Sequence, residues 1–275
     1  MICAGVCLVL LRPSSPAAHP GIHEQEQAVA DELARRPHDS EMHLRQGRLL
    51  AERGEWDAAL EAYERARSFG ADPDRVDVVA GAALLDAGWP RMAKLHFDAV
   101  LERDPDRDDA RLGRARAWVK LDHPEAAAVD FAAALDRMAE PRPAYALEQR
   151  DALLAMGRPE EALAALDRAI ARIGIVPTLQ LAAIEVTLDL GRYDDALVRI
   201  DGLLKTSPGH PLWIARRAAI LDRAGRHDEA RAAYADALDR VRSRSARART
   251  RRLDALEGEL REALARTTDT TEGTP

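Results

Sequence analysis

Several residue types are scarce in this sequence of 275 residues. Aromatic side chains make up 4% of the chain, which suits a core built from Ala and Leu. Asn is absent, and its absence excludes an N-glycosylation sequon. Cys occurs only as Cys3 and Cys7. If the segment that holds both is removed, disulfides play no part in the stability of the mature protein.

An apolar run, Met1 to Leu11, opens the chain and is far too short to span a bilayer. It fits the apolar region of a signal peptide, and small residues at Ser15 and Ala17 suit cleavage after Ala17 or Ala18. No basic segment precedes the run. The alternatives are an apolar end that docks on the first helix, or a start inside a longer leader. We predict a signal peptide at residues 1–18 and a secreted or periplasmic protein, otherwise a cytoplasmic one.

Sequence motifs of catalysis are also missing. The chain has no Gly-rich phosphate loop, no Ser nucleophile elbow and no catalytic Cys motif. His19 and His23 have the spacing of two metal ligands on one helix, but they lie beside Pro20 and Gly21 near the predicted mature end. The formal charge of −7 gives no general indication of nucleic-acid binding. We predict no catalytic residue, no metal site and no cofactor.

A turn recurs along the chain at intervals of 34, 34, 35, 34 and 34 residues, and Ala follows it five residues later. The turn residues are Gly54, Gly88, Asp122, Gly157, Gly191 and Gly225, and the alanines are Ala59, Ala93, Ala127, Ala162, Ala196 and Ala230. In three repeats the second helix begins with Pro, at Pro90, Pro124 and Pro159. This period predicts a helical solenoid that offers a binding surface rather than a reaction centre.

Each repeat follows the pattern of a helix, a tight turn and a second helix. In the fifth repeat, residues 179–190 are apolar nearly all round, as expected of a helix covered on more than one side. Gly191 suits a left-handed helix end, and Asp194 and Asp195 suit the positive end of the next helix. Ala at the fifth place after the turn lets the two helices approach, because a larger residue would overpack their crossing.

The repeats resemble those of the tetratricopeptide repeat family over about residues 40–242. The first repeat carries the pattern as Gly47, Leu50, Gly54, Trp56, Ala59, Tyr63 and Ala66, and the second as Gly81, Leu84, Gly88, Ala93, Phe97 and Pro105. Arg150 and Ile184 replace the usual small residue, so regular helix pairing is least certain in those repeats. The resemblance implies an all-α, right-handed α-solenoid with thirteen or fourteen helices and no sheet.

The predicted solenoid covers residues 19–266. Its parts are a half-repeat (22–37), repeats at about 40–73, 74–107, 108–142, 143–176, 177–210 and 211–242, and a capping helix (244–266) with leucines at steps of three and four. Residues 267–275 form a polar tail that we predict to be disordered.

The resemblance also implies a concave groove, lined by the first helix of each repeat, that binds a segment of a protein partner. The groove residues that it indicates are Leu44, Arg48, Val78, Leu112, Arg116, Lys120, Leu147, Asp151, Leu181 and Glu185. Repeats of this family that bind a C-terminal carboxylate use Lys and Asn at particular positions, including the fifth of the repeat. This chain has apolar residues at the fifth position and no Asn, so such a site is not expected. The alternative is that the apolar residues only pack against neighbouring helices. Self-association through the end caps is a second possibility for function.

An arginine-rich segment, residues 240–252, is the best local case for an anionic partner. Its candidate residues are Arg242, Arg244, Arg247, Arg249, Arg251 and Arg252. Flanking carboxylates offer local pairing, so a solvated helix junction is the competing interpretation. Of the anionic partners, an acidic protein or surface is preferred to a nucleic acid, because nothing in the overall charge indicates nucleic-acid binding.

Overall fold

The computed structural model describes residues 20–244 and 250–272, with side chains for 23–244 and 250–266. In these ranges the chain forms fourteen α-helices and no strand, which confirms the all-α prediction. The helices are α1 (Pro20–Arg35), α2 (Ser40–Glu52), α3 (Trp56–Ser68), α4 (Pro73–Asp86), α5 (Pro90–Arg103), α6 (Asp108–Lys120), α7 (Pro124–Arg137), α8 (Pro143–Ala155), α9 (Pro159–Ile173), α10 (Pro177–Asp189), α11 (Tyr193–Thr206), α12 (Pro211–Arg223), α13 (His227–Arg242) and α14 (Arg251–Glu272). The predicted signal peptide, residues 1–18, lies outside the described residues.

The chain divides into two compact units, Met1–Asp130 and Phe131–Pro275. In the first unit, α2 packs against α3 and α4 against α5, and α4 also contacts α2 and α6. In the second unit the pairs are α8 with α9, α10 with α11, and α12 with α13. The helices of each repeat therefore pair even where Arg150 and Ile184 replace the small residue of the repeat pattern.

The turns between paired helices use the left-handed backbone conformation. Gly54, Gly88, Gly157, Gly191 and Gly225 have φ between 66° and 80°. Asp122, which replaces Gly in the third turn, also adopts this conformation, with φ 61°, and is the one non-Gly residue of the described chain with positive φ. The turn geometry is thus kept at a residue that favours it less.

Small residues allow the helices to approach. The alanines five residues after the turns are Ala59, Ala93, Ala127, Ala162, Ala196 and Ala230, and each is 0% exposed. This burial confirms the prediction that they lie in the packed interior. In the first unit the ring of Phe97, 1% exposed, lies against Gly81 and Gly113, where a Cβ atom would collide with it.

The terminal helices differ in part from the prediction. Helix α1 lies two residues earlier than the predicted half-repeat and packs on α2, with Val29 2% exposed. Helix α14 packs on α13 and buries Leu256 and Leu260, but it begins at Arg251 rather than at residue 244 and ends at Glu272. The hydroxyl of Thr250 accepts a hydrogen bond from the Leu253 amide at the start of α14.

The predicted disordered tail therefore begins too early. No Gly or Pro interrupts the chain between Gly258 and Gly273, so the helix continues through residues 267–272. Residues 273–275 lie outside the described residues. Among the helices that are described, none has the length and apolar character needed to cross a membrane.

Candidate interaction surfaces

The first-helix face of the first unit carries an exposed row of residues. Helices α2, α4 and α6 contact one another in sequence, and each exposes its residue at the ninth place of the repeat. These residues are Arg48, Ala82 and Arg116. At the end of α6, Val119 is 48% exposed and Lys120 is exposed as well. We call these five residues the first-helix surface; it combines cations with apolar contact area.

The apolar residues at the fifth position of each repeat in the first unit, Leu44, Val78 and Leu112, are buried or half-buried. Leu44 and Leu112 are each 4% exposed, and Leu44 packs in a core with Ala59 and Tyr63. Val78 is half-buried and packs against the core around Phe97. The burial of Leu44 and Leu112 favours the alternative that these side chains pack against neighbouring helices.

In the second unit, the predicted groove residues are of two kinds, half-buried apolar side chains and exposed acidic ones. Leu147 and Leu181 are half-buried and pack against the core, whereas Asp151 and Glu185 are exposed. The carboxylate of Asp151 lies 2.6 Å from the Arg150 guanidinium, and that of Glu185 lies 3.9 Å from Arg216. Neighbouring arginines therefore partly neutralise both of these carboxylates.

An aromatic ridge in the first unit was not predicted. The rings of Trp56 and Trp89 stack with centroids 5.4 Å apart, and Trp89 is 43% exposed. On α5, Met92 and Leu95 are 49% and 59% exposed. The sequence does indicate that these two rings could meet, because Trp56 and Trp89 both lie close to the turn in successive repeats. The ridge supplies apolar contact area outside the first-helix surface.

A buried carboxylate in the first unit also escaped prediction. Asp77, 7% exposed, accepts hydrogen bonds from Arg67 at 2.6 Å and Arg103 at 2.7 Å, and lies 2.9 Å from Nδ1 of His96. Burial by itself would raise the pKa of Asp77. Hydrogen bonds from His96 and Arg103, with the charge of Arg67, nevertheless lower this pKa below its ordinary value. The cluster joins α3, α4 and α5, so its role is in packing.

The arginine-rich segment is only partly paired. Arg242 donates to Glu257 at 3.2 Å, and Arg240 donates to Asp236 at 2.8 Å. The side chains of Arg244, Arg251 and Arg252 are exposed and have no hydrogen-bond or ion-pair partner in the described parts of the chain. The remaining candidates, Arg247 and Arg249, lie outside the described residues. The described side chains also contain no group of three or more His, Cys, Asp or Glu arranged to hold a metal ion.

Comparison with known proteins agrees with the helix-pair geometry. Two family models described as tetratricopeptide repeat match the chain, one at residues 26–75 and 147–211 and the other at residues 187–252. The chain belongs to the tetratricopeptide repeat family. Such repeats are generally non-catalytic modules for protein–protein interaction.

Solved structures share the fold of this tetratricopeptide repeat protein. A structure of Naa15/Naa10 bound to HypK-THB has 16% identity and a TM-score of 0.52, and the match covers 90% of this chain and 37% of that one. PilF of Pseudomonas aeruginosa has 18% identity and a TM-score of 0.50, with 69% and 86% covered. MamA has 18% identity and a TM-score of 0.50, with 61% and 91% covered. A search of curated proteins finds no match.

Proposed function

We propose that this tetratricopeptide repeat protein is a non-catalytic scaffold that binds a segment of a protein partner on the first-helix faces of its repeats. The proposal takes the six helix pairs from α2 to α13 as six repeats, and α1 and α14 as caps. Membership of the family supports an interaction function.

The observation that carries this proposal is the exposed row on α2, α4 and α6. Arg48 forms only a long ion pair with Glu52 in its own helix, at 3.6 Å, so its guanidinium is available to a partner. Lys120 has no partner in the described chain and ends α6, next to the exposed Val119. Cations spaced around small apolar residues favour a partner segment with apolar anchors and acidic side chains.

Capture followed by charge reversal tests the proposal. Crosslinking of the native protein and mass spectrometry would identify a partner, whose affinity is then measured for wild type and for Arg48→Glu/Lys120→Glu. We expect affinity to fall at least about tenfold with an unchanged melting temperature, because both side chains are exposed.

A matched control is available on the second helices. Arg91 of α5 and Arg168 of α9 are exposed and have no partner in the described chain, so Arg91→Glu/Arg168→Glu makes the same change in net charge. This control should bind like wild type. Equal affinity in all three proteins would place the binding site away from the first-helix surface.

Self-association is the second candidate, and exposed apolar side chains favour it. Met92 and Leu95 on α5, with Val129 at 68% exposure, offer area that a second copy could cover. Light scattering across a range of protein concentrations tests this candidate. A constant mass equal to one chain would exclude it.

A further inference from the structure

The start of α12 and the arginines of α13 and α14 form a basic surface in the second unit that the first-helix proposal does not use. We propose that this surface binds an acidic peptide segment of a partner, with paired guanidinium–carboxylate contacts at Arg244 and Arg252. We call it the basic end surface, and it consists of His210, Trp213, Arg244 and Arg252.

Two cations of the basic end surface are unpaired in the part of the chain that the structure describes. Arg244 and Arg252 are exposed, and neither side chain has a hydrogen-bond or ion-pair partner within residues 23–244 and 250–266. Other arginines of this region are engaged, since Arg242 and Arg261 both donate to Glu257. A free guanidinium keeps its planar fork of donors, which matches the two oxygens of a carboxylate.

The loop before α12 lies close to arginine side chains. The Arg240 guanidinium lies against Gly209, where a Cβ atom would collide with it. Burial lowers the pKa of the neighbouring His210, and the positive charges of Arg244 and Arg252 lower it further, so both charges act on the same ring. The end of α13 and the start of α14 also pack into the same hydrophobic core as Trp213 of α12, through Val241 and Leu253.

The basic end surface also contains an aromatic pair. The rings of His210 and Trp213 stack with centroids 5.1 Å apart and an interplanar angle of 27°. Both residues are half-buried, so part of the pair is available to the aliphatic stem of a Glu side chain. The positive end of α12 adds to the local potential, because its helix starts at Pro211.

A peptide fits this surface better than a nucleic acid does. A single nucleic-acid strand presents one charge per about 3.4 Å and needs a continuous basic track. The unpaired guanidinium groups of Arg244 and Arg252 instead suit two carboxylates of a short acidic segment.

The proposal is tested with a fluorescein-labelled peptide of eight residues that carries Glu at two positions and Ala or Gly at the others, by fluorescence anisotropy at low salt. The variants are Arg244→Glu/Arg252→Glu and Arg244→Lys/Arg252→Lys. Wild type should bind, and charge reversal should weaken binding at least about tenfold. The Lys variant should lie between the two, because it keeps charge but loses the bidentate fork.

Arg91→Glu/Arg168→Glu is the matched control and should bind the peptide like wild type. Arg48→Glu/Lys120→Glu tests the first-helix surface instead. A loss of peptide binding in that variant equal to the loss in Arg244→Glu/Arg252→Glu would overturn this proposal and leave the first-helix proposal standing. Melting curves check folding, and Arg244→Gln/Arg252→Gln replaces the Glu variant if that variant melts early. No binding by wild type, an equal loss in the matched control, or tighter binding of a twelve-residue oligo-dT strand would overturn the proposal.

Discussion

Replacing Gly113 by Ala tests how closely the repeats of the first unit pack. Gly113 lies in α6, and a Cβ atom there would overlap the ring of Phe97 on α5, with Cε2 2.8 Å away. Phe97 is 1% exposed, and its other side faces Gly81, whose Cβ atom would lie 2.9 Å from the ring. The ring is therefore enclosed on both sides and cannot move away from an added methyl group at little cost.

Two opposing effects set the expected magnitude. Replacing Gly by Ala inside a helix stabilises it by about 0.5–1 kcal/mol, because Gly loses more backbone entropy on folding. Overpacking a closed site costs about 1–3 kcal/mol. We expect Gly113→Ala to lower the free energy of unfolding by about 0.5–2 kcal/mol, so the packing effect prevails.

Urea denaturation followed by circular dichroism measures the difference. Gly202 in α11 is the matched control, because nothing lies within 4 Å of the Cβ atom that Ala would add there. Gly202→Ala should therefore raise the urea midpoint, whereas Gly113→Ala should lower it. In Gly113→Ala/Phe97→Leu the smaller side chain should relieve part of the overlap. If Gly113→Ala raised the midpoint as Gly202→Ala does, the close contact with Phe97 would be wrong.

Four further outcomes follow. Asp122→Gly should stabilise the protein by about 0.5–1 kcal/mol, because Gly adopts the left-handed turn more readily, and an unchanged urea midpoint would contradict this. The pKa of Asp77 is lower in the folded protein than its ordinary value of 3.8, so ionised Asp77 stabilises the fold above pH 3.8. This stabilisation is lost as the pH falls through the pKa of the folded state. Asp77→Asn should therefore make the urea midpoint depend less on pH between pH 5 and pH 2. Deleting residues 253–264 should expose the apolar face of α13 and cause aggregation, detectable by light scattering, whereas an equally stable monomer would exclude a capping role. N-terminal sequencing should find Ala18 or His19 first, and an intact Met1 in the cell fraction would refute export.

The helix boundaries could be predicted because local residues determine them. Helices α5, α7 and α9 begin at Pro90, Pro124 and Pro159, as the sequence indicates. The start of α14 was missed by seven residues, because an arginine-rich stretch is compatible with a helix but does not require one. Its actual start depends on the hydrogen bond at Thr250.

The candidate site could be predicted only in part, because exposure depends on contacts between repeats. Leu44 and Val119 belong to the same first-helix face by periodicity, yet Leu44 is 4% exposed and Val119 is 48% exposed. The difference comes from the helices that pack beside each residue, which the period of one repeat does not specify. Asp77 was missed for the same reason, since Arg67 and Arg103 reach it from α3 and α5.

Ion pairing explains why the net charge of −7 is a poor guide to the partner of this protein. Arg67 and Arg103 hold Asp77 between helices, so these cations serve packing rather than recognition. Cations available to a partner are those that have no carboxylate partner among the described residues, such as Lys120, Arg244 and Arg252. At physiological salt a charge acts over about 8 Å, so a partner that reaches these groups meets the local positive potential and little of the distant negative charge. An acidic segment can therefore bind a protein that is acidic overall, provided that it reaches these unpaired cations.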